Sequence, residues 1–258
     1  MLGSIESSVQ WHWIAYGKHP VAGDFFGLGQ KAGILRAFSA WMEKGYEILA
    51  SKHSAPSSLL SWRFWAKGSG KEGLVCGLIK DSADTVGRPY PLLVVGTGPL
   101  KGWEGQWDLL PFACERSWNQ IEKLSIRRFQ DLQQLEEEIY KIRAPSPQWT
   151  EYHSERKTLE QPGLNSDSGV SSWEPRNFKN LEASLAEQKE IMVSLDEGSS
   201  HDQFTLSSLY HSIFKARLQV LPNAVFMGGT LETTYLAVFQ RPLTSADFVK
   251  LWSPAQGQ

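Results

Sequence analysis

The sequence predicts a mixed α/β protein in which a partly antiparallel sheet packs with helices as a layered sandwich. Three observations predict it. Short runs of aromatic and branched residues recur at strand length between turn formers. Other stretches carry apolar residues three or four apart, the period of an amphipathic helix. The two kinds follow one another as strand, helix, several strands, long helix, insertion, helix, strands, helix, which is no regular βαβ alternation. With 258 residues, 41% of them hydrophobic, and 11 Trp, there is material for a substantial core, and one domain over 1–258 is expected.

Trp11 to Tyr16 mixes aromatic and branched residues and reads as the first strand. Ile34, Phe38, Trp41 or Met42, and Leu49 then share one helical stripe, in which Gly45 marks a close contact or a bend. Leu59 to Trp65 and Leu74 to Ile79 read as strands joined by the turn KGSGKEG, with Tyr90 to Val95 as an alternative pairing partner. A long helix is expected from Ser117, which has capping-box spacing to Gln120, up to Pro145. Between Pro145 and Pro175 no period survives, so a flexible insertion is expected over 145–180. Leu181, Leu185, Met192 and Leu195 suggest a weaker helix. Thr205 is placed to cap another, bearing Leu209, Ile213 and Leu218 and limited by Pro222. Ala224 to Met227 and Thr234 to Phe239 read as closing strands about a Gly228-Gly229 turn. Thr244 and Asp247 open a last helix that packs through Phe248, Leu251 and Trp252.

Composition narrows the function. A formal net charge of -2 gives no general attraction for nucleic acid or anionic lipid, so no nucleic-acid partner is expected. No apolar run reaches the length of a membrane span, and MLGSIESSVQ lacks the pattern of a signal peptide. Cys76 sits in an apolar run and reads as a reduced, buried thiol; with Cys114 the only other cysteine, a cytoplasmic location is expected.

Two loops stand out, Gly17 to Phe26 (GKHPVAGDFF) and Ser82 to Leu93 (SADTVGRPYPLL). In the first, Asp24 suits hydrogen bonds from exposed turn amides, Gly23 suits a positive φ, and Pro20 stiffens the approach. In the second, the planar fork of Arg88 suits a carboxylate such as Asp24, Asp84 or one from a partner. Asp84 equally suits an Asx turn, with Gly87 handling the return. Lys18, Gly23, Asp24, Asp84, Gly87 and Arg88 are therefore the candidate residues, with loop locking and binding both open. If Arg88 and Asp24 meet, the two loops form one rigid rim.

Enzymatic readings find little support. GVSSW lacks the spacing of a nucleophile elbow, and KGSGKEG lacks that of a phosphate-binding loop. The six histidines show neither HExxH nor clustering, so no catalytic set, metal site or cofactor is expected, and His19 has no neighbouring nucleophile to activate. The aromatic residues lie in periodic segments and read as core.

Tyr16 to Phe26, YGKHPVAGDFF, resembles the N-terminal signature of the TagF family, also called ImpM, associated with bacterial type VI secretion. Ser82, Asp84, Gly87, Arg88, Pro91 and Leu92 resemble the family's second segment, and Trp62, Arg63 and Phe64 the strand before it. Pro222 to Gly229, with Leu243 and Phe248, resembles its closing strand–turn–helix, though AVFMGG is poorer in Trp. The resemblance implies a cytoplasmic, non-enzymatic accessory or regulatory factor that works through protein–protein contacts. Its implied partners are type VI secretion components, a forkhead-associated scaffold protein among them. It singles out Lys18, Gly23, Asp24, Gly87 and Arg88. The alternative is a small-ligand-binding or hydrolytic domain using the Lys18, Asp24 and Arg88 neighbourhood.

Overall fold

A computed structural model describes residues 11–29, 33–51, 59–160, 188–195 and 202–253. Eight strands form one sheet: β1 (His12–Gly17), β2 (Phe26–Leu28), β3 (Ser61–Lys67), β4 (Gly73–Lys80), β5 (Leu92–Pro99), β6 (Glu190–Ser194), β7 (Ala224–Gly229) and β8 (Thr234–Phe239). They lie in the order β2-β1-β5-β4-β3-β7-β8-β6, and every pairing is antiparallel. The expected sandwich of sheet and helices is therefore present, with a sheet that is antiparallel throughout. β4 takes both partners that its sequence left open, pairing β3 on one side and β5 on the other.

Helices cover both faces. On one lie α1 (Gly33–Ser51) and α6 (Ser245–Trp252), packed on Trp62, Phe64 and Phe226. On the other lie a 3-10 helix (Trp103–Leu109), α2 (Leu110–Ile126), α3 (Leu132–Tyr140), α4 (Trp149–Glu160) and α5 (Gln203–Arg217), packed on Trp65, Cys76 and Val225. Along β3, Trp62, Phe64 and Ala66 enter one core while Trp65 enters the other. Strands buried on both faces read as continuous apolar runs rather than alternating ones. Gly45 marks the closest approach of α1 to α6: a Cβ there would lie 2.4 Å from the Phe248 Cβ.

Several expectations are corrected. The long helix is two, because Arg127–Asp131 interrupts it and Asp131 starts α3 by accepting the Gln134 amide at 2.9 Å. Ser117 is buried inside α2, which begins at Leu110 with Pro111 in its first turn. Ser117 Oγ instead donates to the Arg143 carbonyl at 2.7 Å, and Gln120 Oε1 accepts the Arg143 amide at 2.8 Å. These two residues tie down the chain after α3 rather than capping a helix. Asp202, not Thr205, caps α5, accepting the Thr205 amide at 3.0 Å. Met192 lies in β6, where Ile191 and Val193 suit an extended chain. Within 145–180, Trp149–Glu160 form α4; 161–180 lie outside the described residues, as do Leu181 and Leu185. Gly228 and Gly229 end β7 at φ 149° and 145° rather than forming the turn, and a Cβ on Gly228 would lie 2.0 Å from the Ser61 carbonyl oxygen.

Candidate functional site

Topology brings the two punctuated loops together. The first is the turn of the β1–β2 hairpin, whose ends meet in the pairing Gly17↔Phe26. The second joins β4 to β5. Because β5 lies between β1 and β4, Leu92 pairs with both Gly17 and Lys80, and both loops leave the same end of three neighbouring strands. Gly17 is required at this corner: its φ is 119°, and a Cβ would lie 2.0 Å from the Pro91 oxygen.

Asp84 is the centre of the junction, with a fully buried side chain. Its Oδ1 accepts the Val86 amide at 3.1 Å and the Arg88 amide at 2.9 Å, closing an Asx turn whose return uses Gly87 at φ 84°. Its Oδ2 meets Arg88 Nε at 2.7 Å and Lys18 Nζ at 3.0 Å. Burial alone would raise the carboxyl's pKa; the Arg88 amide, the Lys18 ammonium and the Arg88 guanidinium overcome it and hold Asp84 well below the usual carboxylate range. Lys18 is itself buried, with its Nζ 4.9 Å from the Phe25 ring centroid.

Arg88 spans the two loops. One nitrogen donates to the Gly23 carbonyl at 2.7 Å and stands 3.6 Å from Asp24 Oδ2. Thr85 adds a second crossing: its amide donates to the Ala22 carbonyl at 2.9 Å, and its hydroxyl lies within reach of the Pro20 and Ala22 carbonyls. All six candidate residues thus lie in one rim, with Arg88 and Asp24 adjacent. Gly23 contributes its carbonyl and not a positive φ; Gly17 holds that conformation instead. Asp24 also accepts the Phe25 amide at 2.8 Å. His19 is buried, its Nδ1 accepts the Val21 amide at 3.2 Å, and burial lowers its pKa.

The outer surface of the rim is different in character. Phe25 is 52% exposed and Val86 72% exposed, and the side chains of Asp24 and Arg88 face solvent beside them. Tyr90 holds Phe25 from beneath at 4.5 Å between ring centroids, and Tyr46 from α1 holds Tyr90 at 4.6 Å. Thr85 and this aromatic ladder lay outside the sequence-derived site; the ladder crosses from a helix to a loop and has no local spacing to reveal it. Among the described residues no helix is long and apolar enough to cross a membrane, and no cluster of His, Cys, Asp and Glu is arranged to hold a metal.

No curated protein matches the sequence. Among solved structures, PA0076 from Pseudomonas aeruginosa PAO1 is similar, with a TM-score of 0.50 and 18% identity over 94% of each chain, a likeness of fold. Residues 15–142, which contain both interlocked loops, the second half of β1 and all of β2 to β5, match the TagF N-terminal domain, type VI secretion system-associated. Through that stretch the chain belongs to the TagF family.

Proposed function

We propose that this protein is a non-enzymatic accessory or regulatory factor of bacterial type VI secretion, acting in the cytoplasm through protein–protein contacts. Membership of a secretion-associated family supplies the setting. The observation that supports contact rather than chemistry is the division of labour within the rim. Its charged groups are engaged with one another, while Phe25 and Val86 face outward between Asp24 and Arg88. Outward apolar side chains bordered by charge, on a backbone that needs no reordering, suit a partner surface. The partner we assign is the forkhead-associated scaffold protein of the same secretion machine, whose activity the rim restrains by occluding one of its surfaces.

The test is capture of the purified scaffold protein by wild-type chain and by three variants: Phe25→Ser with Val86→Ser, Asp24→Ala, and Arg88→Ala. Each is first checked for an unchanged fold by circular dichroism and thermal unfolding. Loss of capture by the double variant with its fold retained is the expected result. Capture that survives removal of both outward apolar groups overturns the assignment.

A further inference from the structure

The two edges of the sheet are built differently. β2, at one edge, has three residues with a glycine at the centre. β6, at the other, runs for five, Glu190–Ser194, without proline, glycine or a break in its pairing to β8. Free edges are ordinarily blunted by shortness, proline, bulges or an exposed charge. β2 is short. β6 carries only the charge of Glu190, and Arg241 and Lys250 both bind that carboxylate.

The ladder fixes the direction of the backbone groups. The Leu195 amide donates to the Thr234 carbonyl at 2.7 Å, and the Gln240 amide donates to the Lys189 carbonyl at 2.9 Å. Antiparallel strands alternate, so the odd-numbered residues from 189 to 195 turn their N–H and C=O groups toward β8. Glu190, Met192 and Ser194 turn theirs outward, and no described strand lies beyond β6 to receive them. The side chains divide in the same way. Ile191 and Val193 join the core on the α2 face, while Met192, 38% exposed, lines a groove of about 450 Å³ with Phe239, Lys250 and Leu251.

We propose that β6 pairs with β6 of a second copy of this chain, antiparallel about a two-fold axis at Met192, joining two sheets edge to edge. The strand is self-complementary in that register. Met192 of one copy opposes Met192 of the other, Ile191 opposes Val193, and Glu190 opposes Ser194, so apolar groups meet on both faces and no like charges meet. All three outward residues then form hydrogen-bonded pairs. A slip of two residues sets Met192 against Glu190 or Ser194 and leaves an end unpaired. Within β6 no charge is left free to select a foreign strand, whereas the strand matches itself. Two five-residue strands bury less than the roughly 1,200 Å² of a standard interface, so the dimer is weak and concentration-dependent. The rim lies toward the β2 edge, so the dimer leaves both rims uncovered at opposite ends of the doubled sheet.

The test is sedimentation velocity of the full chain from about 1 to 300 µM, over which the wild type should move from monomer toward dimer. Met192→Pro deletes one outward amide while every bond to β8 is kept, and Met192→Lys opposes two ammonium groups. Each should weaken association at least about tenfold. Oxidising Met192→Cys and Ser194→Cys chains reads the register independently of those two variants. The first should cross-link to a dimer, its Cα atoms about 5.5 Å apart across the axis, and the second should not, at about 14 Å. Cys76 and Cys114 are buried and take no part. The Phe25→Ser, Val86→Ser chain should associate as the wild type does, which separates this edge from the rim. A chain that stays monomeric at every concentration, association that survives both substitutions, or equal cross-linking at 192 and 194 overturns the proposal. A monomer whose edge takes a strand of another protein instead does so too.

Discussion

Two buried aspartates do the same work in different places. Asp84 joins the two loops with Lys18 and Arg88; Asp108, at the end of the 3-10 helix, joins the helical layer with Arg156 from α4 and Lys215 from α5, the latter at 2.6 Å. Both carboxyls are held below their usual range, burial opposing and two cations prevailing. They differ in how the partners are spaced. Arg88 is four residues from Asp84, and two backbone amides from the same turn share the load. Asp108 draws on side chains 48 and 107 residues away. A charge satisfied locally leaves a motif, and a charge satisfied by tertiary packing leaves none.

That difference sets the largest expected effect. Asp108→Ala takes the shared carboxylate from two partly buried cations of separate helices, and should cost about 4 kcal/mol in urea unfolding. A loss below that of Lys18→Met would show that Asp108 is not the tie between α4 and α5.

Next is a pH dependence whose larger part lies on the Asp108 side, the buried His19 of the rim adding a loss of the same sign. His211 is fully buried, with Trp65 Nε1 donating to its Nε2 at 3.1 Å and its Nδ1 2.7 Å from the Ser207 carbonyl. Burial lowers its pKa to about 4. Between the unfolded value near 6.5 and about 4, the unfolded chain binds the extra proton, so stability is complete above pH 6.5 and falls as pH drops through this window. The loss approaches about 3 kcal/mol. Urea midpoints at pH 7, 5 and 4 measure it, and His211→Gln should flatten the curve. The depressed Asp84 and Asp108 carboxyls contribute only below that range, as pH falls under the ordinary carboxylate value.

A smaller effect is expected at Lys18→Met, about 2 kcal/mol, because Arg88 and two amides continue to hold Asp84. The smallest is Asp24→Ala. Its 3.6 Å contact with Arg88 is solvent-exposed on both sides, so it should cost under about 1 kcal/mol and vanish in high salt, while partner capture falls. A large stability loss at Asp24 would move that residue from the contact surface to the scaffold.

The same contrast explains how much of the molecule could be read in advance. Six of the eight strands lie on runs that the sequence marks as strands, while β6 falls on residues whose spacing suggests a helix; the Thr244–Asp247 capping box is present with its Thr244 amide 2.7 Å from Asp247 Oδ2. β2 escaped notice because three residues, one of them glycine, carry no period. The 3-10 helix and the start of α2 were missed because Trp103, Trp107 and Leu110 are buried by neighbours rather than by one regular face. Ser117 misled because a serine three residues before a glutamine has the spacing of a cap even when its partner is a distant carbonyl. At the rim, Asp84, Gly87 and Arg88 were legible as a turn. Their meeting with Lys18 and Asp24 depended on β5 lying between β1 and β4, which local spacing does not encode.

The place of β3 has a consequence for biosynthesis. Its second neighbour, β7, begins at Ala224, and the indole N–H of Trp62 bonds to the Leu251 carbonyl at 3.1 Å. While the ribosome is still making the intervening chain, β3 presents an aromatic, hydrogen-bonding edge with nothing beside it. Such an edge is open to self-association until the later strands emerge. The strand order thus defers the closure of this edge to a pairing of long sequence separation, the kind that slows folding.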